Sequence, residues 1–200
     1  GFTLSAENTL NAHSSVRSPP VFGHAARFHQ MKDHAVFLSA VSGLQAQGIS
    51  CQIKMVGTGV SFANPDYSVL VPDNISSAVS ADGPCANMPA FYSGLDCFVM
   101  SSAWGEAFPN VVAEAMLAGL PCIVTDVGDA AEIVGDTGWV VPAKNPEALA
   151  TAMYQAIAAM ADTDAWAARK AAACARITNL YSMDKMQSRF EAAWTAAMEN

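Results

Sequence analysis

The segment EAFPNVVAE, residues 106–114, lies at the centre of the pattern that decides the fold of this chain. An apolar run, DCFVM at 96–100, precedes it, and a second run, PCIVT at 121–125, follows it. Both runs predict buried strands because they are short, apolar and rich in β-branched or aromatic residues. Between them, Pro109 to Ala118 predicts a helix, since proline suits the first helical turn. A strand, a helix and a second strand form the unit from which parallel sheets are built.

The same unit occurs near the start of the chain. Residues 21–26 (VFGHAA) predict a first strand. Apolar residues then recur at helical spacing over 36–44, and Gly48 ends that helix. Residues 50–56 (SCQIKMV) predict the next strand. Two such units in one chain favour a single parallel sheet.

The remaining pattern alternates in the same way and ends in helices. Residues 60–84 have poor periodicity, and we expect only a helix or turn and a weak strand near Ala78 there. We expect short helices at 88–94 and 129–134, a strand at 138–141, and helices near 146–160, 163–179 and 183–198. The sequence therefore predicts a doubly wound, Rossmann-like α/β fold, with helices on both faces of a parallel sheet and a helical C-terminal tail.

Composition excludes several classes of protein. The chain has 200 residues, 52% of them hydrophobic, which is typical of a globular domain. Its net charge of −8, with only ten Lys and Arg, disfavours nucleic acid as a partner. The five cysteines are odd in number and form no CxxC pair, which favours reduced thiols in a cytosolic protein. The four histidines have no zinc-type spacing with cysteines, so we expect no metal site.

Three segments are expected along the chain. Residues 1–19 are polar, end near two prolines and predict a linker or hinge remnant. Residues 20–180 would form the Rossmann-like domain, and 181–200 a C-terminal helix. No long apolar run predicts a membrane span, and the N-terminus has no signal-peptide pattern. The chain begins with Gly1, which favours a piece of a longer protein.

Ligands of open parallel sheets bind beyond the carboxyl ends of the strands, so the loops there are the candidate site. Glu106 lies in the loop before the predicted helix, and Glu114 lies about one and a half turns inside it. A carboxylate at such a crevice can accept hydrogen bonds from a pair of sugar hydroxyls. The same spacing also fits two solvated acids near a helix start, and spacing alone leaves both interpretations open.

Basic residues and glycines follow the first two strands. Arg27 and Lys32 come after the first strand, where together they could neutralise a diphosphate. A local ion pair for Arg27 and a surface position for Lys32 are the alternatives. Gly57 and Gly59 follow the second strand, but glycines there commonly form only a turn.

These segments resemble the C-terminal domain of retaining GT-B glycosyltransferases of family 4. That family carries two glutamates separated by seven residues, and Glu106 and Glu114 match them. The stretch 105–141 carries the most specific part of the resemblance. The stretch 23–34 (GHAARFHQMKDH) resembles the family's first strand and phosphate-binding loop, and 55–59 (MVGTG) resembles its glycine turn.

The resemblance implies a role for each matched residue. Arg27 and Lys32 would contact the diphosphate of a nucleotide sugar, Glu106 would act at the transferred sugar, and Glu114 would hold the ribose. The other donor-binding positions would be Gly57, Gly59, Ala107, Phe108, Pro109, Asn110 and Val111. Pro109 has no N–H, so one main-chain contact of the family is lost in this chain.

The implied protein is the donor-binding half of a GT-B hexosyltransferase, which needs no metal and no cofactor. Its donor would be a UDP-, GDP- or ADP-linked sugar, and its partner the N-terminal domain of the same protein. Without that domain the fragment would bind donor but would not catalyse transfer. The resemblance further implies cell-surface polysaccharide or glycolipid synthesis in the cytoplasm, with attachment to the inner face of the membrane through the N-terminal domain as an option. A nucleotide-sugar epimerase or hydrolase, and a non-catalytic binding module, are the alternatives.

Overall fold

The chain forms a parallel sheet in its computed structural model, which describes residues 17–198 apart from five side chains of the last helix. The described strands are β1 (Val21–Ala25), β2 (Gln52–Val56), β3 (Val79–Ala81), β4 (Cys97–Met100), β5 (Cys122–Thr125) and β6 (Trp139–Val141). Their order in the sheet is β3-β2-β1-β4-β5-β6, and every neighbouring pair is parallel. This order is that of a doubly wound sheet, the fold class that the sequence predicts.

Helices connect the strands and cover the sheet. They are α1 (His34–Ala46), α2 (Pro65–Ser68), α3 (Met88–Ser93), α4 (Asn110–Leu117), α5 (Ala130–Val134), α6 (Pro146–Ala159), α7 (Thr163–Tyr181) and α8 (Met183–Met198). Short 3-10 turns occur at Gln30–Lys32, Asp73–Ala78 and Gly135–Thr137. Among the helices of residues 17–198, none is long and apolar enough to cross a membrane.

Strand residues alternate between two apolar layers, one on each face of the sheet. Phe22, Ile53 and Val99 belong to a layer that α1 and α6 cover. Phe98 and Val124 belong to the layer that α4, α5 and α7 cover. Because both faces are buried, β4 and β5 consist of continuous apolar residues with little polar alternation, as is typical of parallel sheets.

The predicted elements are confirmed with small shifts at their ends. α4 begins at Asn110, and Pro109 occupies the N-cap position. Lys32 ends a 3-10 turn, and Asp33, in the left-handed region, separates it from the start of α1 at His34. The weak strand expected near Ala78 is present as β3.

The described residues include only part of the segments expected at the two ends of the chain. Residues 1–16, which include most of the predicted linker, lie outside the described residues. Arg17 donates hydrogen bonds to the Asp96 carboxylate at 3.1 Å and to the carbonyls of Leu95 and Ser93. Asp96 also accepts from the Val21 amide, so this carboxylate ties the entry of the chain to β1.

Candidate functional site

The strands β2 and β3 lie on one side of β1 in the sheet, and the strands from β4 onward lie on its other side. The loops after β1 and β4 therefore lie side by side at the carboxyl edge, where open α/β sheets bind ligands. The Ala103 amide donates to the Met31 carbonyl at 2.8 Å, and the Ser101 hydroxyl donates to the Lys32 carbonyl at 2.8 Å. These two bonds join the loops into one crevice wall.

Lys32 and Glu106 meet in this crevice although they are 74 residues apart in the chain. The Lys32 ammonium lies 2.5 Å from Oε1 of Glu106, and their side chains are 18% and 10% exposed. The Ser102 hydroxyl donates to the same Oε1 at 2.5 Å. Within the described residues Oε2 has no hydrogen-bond partner, so only one of the two oxygens is held. Glu106 is therefore no solvated surface acid, and Lys32 is no surface residue.

The backbone beneath Glu106 is fixed by the loop that follows β5. Thr125, at the end of β5, donates its hydroxyl to the Ser102 carbonyl at 2.7 Å. The Asp129 amide donates to the Ala107 carbonyl at 2.9 Å. A Cβ at Gly128 would lie 2.3 Å from the Glu106 carbonyl, so only glycine permits this close approach. Strand β5 thus supports the position of Glu106 without touching its carboxylate.

Glu114 is held by a different partner. It is half-buried in α4, and its Oε2 accepts a hydrogen bond from the Tyr92 hydroxyl at 3.0 Å. Tyr92 belongs to α3 and is only 3% exposed. Burial raises the pKa of Tyr92 above its usual value, and the nearby Glu114 carboxylate raises it further. The phenol therefore stays protonated and donates to the carboxylate.

The other basic and glycine positions border the crevice. Arg27 is exposed directly after β1 and makes no ion pair or hydrogen bond with another residue between 17 and 198. The Phe28 amide donates to the Thr58 carbonyl at 2.8 Å, which brings the turn after β2 against the loop after β1. Gly57 has a φ of 147°, and a Cβ there would lie 1.9 Å from the Ala26 carbonyl oxygen. Gly59 has a φ of 80°, so both glycines are required by the backbone itself.

The start of α4 faces no side-chain cap. Pro109 at the N-cap makes no side-chain hydrogen bond to the first amides of the helix. Asn110 is exposed and Val111 is half-buried, while Phe108 packs against Tyr181 with ring centroids 5.5 Å apart. Together with Ala107, which is exposed, these residues form the lip of the crevice next to Glu106. First-turn amides that no side chain caps can bind an anion.

Two histidines near Lys32 are buried, although the sequence analysis considered the histidines only as metal ligands. His24 in β1 is 3.1 Å, through Nε2, from the Ser101 hydroxyl, and the His34 ring lies 4.8 Å from the His24 ring. Burial lowers the pKa of His24 well below its usual value and that of His34 to about 4, and in both the Lys32 charge lowers it further. Both rings are thus neutral near pH 7. Ser101 accepts from His24 while donating to the Lys32 carbonyl, so this pair supports the loop that carries Lys32.

The structure therefore brings some predicted residues into contact and adds others. Lys32 and Glu106 form one cluster, Arg27 lies exposed after β1, and Glu114 makes its described contact with Tyr92. Ser102 and Tyr92, which orient the two carboxylates, were not among the predicted site residues. Ser102 could have been noticed because it lies in the loop just after β4, two residues beyond Met100, but the position of Tyr92 in a short helix carried no signal.

The family model named glycosyl transferases group 1 matches residues 19–159. The chain belongs to that family. Two curated relatives resemble parts of it. EpsF of Bacillus subtilis, named as an inferred glycosyltransferase, is 34% identical over 106 residues, which are 53% of this chain and 27% of EpsF. LpsB of Rhizobium meliloti, a lipopolysaccharide core biosynthesis mannosyltransferase, is 32% identical over 120 residues, which are 58% of this chain and 33% of LpsB.

A solved structure shares the fold. HepE of Anabaena in complex with UDP-glucose superposes with a TM-score of 0.71 and 22% identity, over 88% of this chain and 48% of HepE. This likeness shows that the described domain has the architecture of one half of a GT-B glycosyltransferase. The chain spans about a quarter to a third of the length of the two curated relatives and about half of HepE.

Proposed function

We propose that this chain is the donor-binding half of a retaining GT-B hexosyltransferase of family 4, which transfers a sugar from a nucleoside diphosphate to an acceptor. The observation that carries the proposal is the Lys32–Glu106–Ser102 cluster at the switch point between β1 and β4. A cation suited to phosphate and a carboxylate suited to sugar hydroxyls meet there in one crevice.

In this proposal each charged group takes one part of the donor. Arg27 and Lys32 bind the diphosphate, and the amides at the start of α4 add donors from Ala107, Phe108, Asn110 and Val111, with Pro109 as a contact without a donor. Glu106 binds the hydroxyls of the transferred sugar, and Glu114 binds the ribose. The exposed position of Arg27, without a partner among the described residues, leaves its guanidinium available for phosphate.

The ion pair between Lys32 and Glu106 also supports an exchange of partners. A diphosphate offers Lys32 two negative groups, so the ammonium moves from Glu106 to the phosphate. Glu106 then keeps its bond from Ser102 and gains room for sugar hydroxyls on both oxygens. Binding of the diphosphate thus prepares the carboxylate for the sugar, which explains why the two groups need to be neighbours.

The missing half of the protein completes the enzyme in this proposal. The N-terminal domain supplies the rest of the acceptor site, and transfer proceeds with retention, without metal or cofactor. Phe190, Trp194 and Met198 in α8 are spaced four residues apart and are 71%, 63% and 74% exposed. This apolar stripe is available to pack on the N-terminal domain. The protein acts in the cytoplasm, and any membrane attachment is through that domain.

The pathway proposed is cell-surface polysaccharide or glycolipid synthesis. LpsB, one of the curated relatives, is named for lipopolysaccharide core biosynthesis and for mannosyl transfer. HepE was solved with UDP-glucose, which makes UDP the first nucleotide to try. GDP- and ADP-linked sugars are also candidate donors, because none of the proposed contacts recognises the base.

Calorimetry of the chain with UDP, GDP and ADP tests the proposal. We expect one of them to bind, and Arg27→Ala to remove most of that binding because a charge-assisted contact to phosphate is lost. Lys185→Ala, which removes an exposed cation from α8, is the matched control and leaves the affinity unchanged. Equal affinities of wild type and Arg27→Ala contradict the diphosphate assignment.

A further inference from the structure

A second concavity opens beside the Lys32–Glu106 cluster, on the β1 side of the crevice. Its volume is about 390 Å³, which lies within the range usual for small-ligand sites, roughly 300–1,000 Å³. We call it the aromatic cleft; its lining includes Phe28, His29, Gln30, Asp33, Leu70 and Trp104. The loop after β1 and the loop after β4 both contribute to its walls.

The apolar part of the cleft is aromatic. The Trp104 indole is 47% exposed, and the Lys144 ammonium lies 5.3 Å from its centroid, over one ring face. Phe28 and Leu70, both half-buried, add further apolar surface. A large aromatic side chain left so exposed in a concave site is a feature of ligand surfaces, because tryptophan is otherwise mostly buried.

The polar part of the cleft offers both donors and acceptors. His29 Nδ1 accepts from the Met31 amide at 3.2 Å, so the neutral ring carries its proton on Nε2, where it can donate. Asp33 uses Oδ1 to accept from the Val36 amide at 3.4 Å, and its other oxygen has no described partner. Gln30 adds an exposed amide. The lining residues include one carboxylate and no Lys or Arg, and a cation described beside them is Lys144, over the Trp104 ring.

We infer that the aromatic cleft binds a hexopyranose unit of the acceptor. A pyranose has a C–H face that packs on an aromatic ring and a rim of hydroxyls that both donate and accept, which matches the two halves of the lining. This inference rests on the proposed function, since it names an acceptor.

The position of the cleft fits an acceptor unit. Trp104 is two residues from Glu106, and Asp33 directly follows Lys32. The bond from the Ala103 amide to the Met31 carbonyl fixes the two loops against each other. A sugar in the cleft would therefore lie beside the end of the donor from which the sugar is transferred, as an acceptor requires.

Saturation-transfer NMR of the chain with methyl β-D-glucopyranoside, methyl β-D-galactopyranoside and methyl α-D-mannopyranoside tests this inference. We expect at least one of them to bind through its ring C–H protons. Trp104→Ala is expected to raise its dissociation constant by about three- to tenfold, since an aromatic contact is lost. The control is Trp194→Ala, which removes a tryptophan of α8 that is 63% exposed, against 47% for Trp104, and leaves the constant unchanged.

The outcomes separate this inference from the proposed function. The binding of methyl glycoside must persist when UDP-glucose is present, because the cleft and the donor site are distinct. Displacement by UDP-glucose would place the glycoside in the donor site and overturn the inference. No signal from any of the three glycosides, or equal binding by wild type and Trp104→Ala, also overturns it. The nucleotide calorimetry of the wild-type chain reports separately on the proposed function.

Discussion

Glu106 and Glu114 belong to the same nine-residue segment, yet the fold places them in different surroundings. Glu106 is 10% exposed and shares one oxygen between an ammonium and a hydroxyl. Glu114 is half-buried and accepts a hydrogen bond from the neutral phenol of Tyr92. A carboxylate compensated by a movable cation is ready to change partners when an anion arrives. A carboxylate held only by a neutral donor is oriented but keeps its full charge, which suits a ligand that brings hydroxyls alone.

The largest effect is expected at Lys32, the cation that pairs with Glu106. Lys32→Ala removes the proposed phosphate ligand and leaves the Glu106 carboxylate without its cation at the proposed diphosphate site. Nucleotide affinity should therefore fall about ten- to a hundredfold, as is usual for a charge-assisted contact. Calorimetry measures it, with Lys185→Ala as the control. A loss smaller than about threefold would show that Lys32 does not bind the diphosphate.

A smaller effect is expected at the second pair. Tyr92→Phe removes the hydrogen bond that orients Glu114 but keeps the buried ring, so ribose recognition should weaken about two- to tenfold. The specific readout is the preference for UDP over 2′-deoxy-UDP, which should narrow, while affinity for inorganic diphosphate stays unchanged. Tyr154→Phe, at an exposed tyrosine of α6, is the matched control. An unchanged preference would remove Tyr92 from the ribose site.

A similar but more selective effect is expected at Ser102. Ser102→Ala removes the neutral donor to Glu106, and the diphosphate contacts remain. The affinity advantage of a nucleotide sugar over its nucleotide should fall by about two- to fivefold, and the affinity of the nucleotide itself should stay the same. Titrations of UDP and UDP-glucose on both proteins give this ratio. A loss of both affinities together would indicate that Ser102 only supports the loop.

The buried histidines predict a dependence of stability on pH. The pKa of His34 is lowered to about 4 in the folded chain from about 6.5 in the unfolded chain, so the unfolded state binds more protons between these values. The buried His34 ring therefore costs no stability above pH 6.5, and the free energy of unfolding falls as the pH is lowered from 6.5 toward 4. His34→Phe should therefore reduce the slope of unfolding free energy against pH in this window. The reduction corresponds to up to about one proton fewer taken up on unfolding. Urea unfolding at several pH values checks this, and an unchanged slope would contradict it.

Periodicity alone predicted the strands and the longer helices, because a buried parallel strand and an amphipathic helix leave different spacings. Over 60–84 it predicted only a helix or turn of uncertain extent and a weak strand, because the elements there are only three to six residues long. Their stability comes from tertiary contacts such as Tyr67, which is fully buried and lies 3.1 Å from the Met55 sulfur. Such contacts leave no local pattern.

For the candidate site, the sequence could place Lys32 and Glu106 at the same edge of the sheet, because both follow strands. It could not predict their direct pairing, since the distance between the two loops depends on strand order and on the bond from Ala103 to Met31. The same limit applies to Tyr92 and Glu114, which meet only because α3 packs beside α4.

The most direct test of this account is a crystal structure of the chain with UDP. We expect the Lys32 ammonium, which lies 2.5 Å from Glu106 in the free chain, to leave that carboxylate and contact a phosphate oxygen, while Glu106 keeps its bond from Ser102. UDP bound away from the crevice, or bound in it with the pair between Lys32 and Glu106 intact, would contradict the proposed exchange of partners at Lys32.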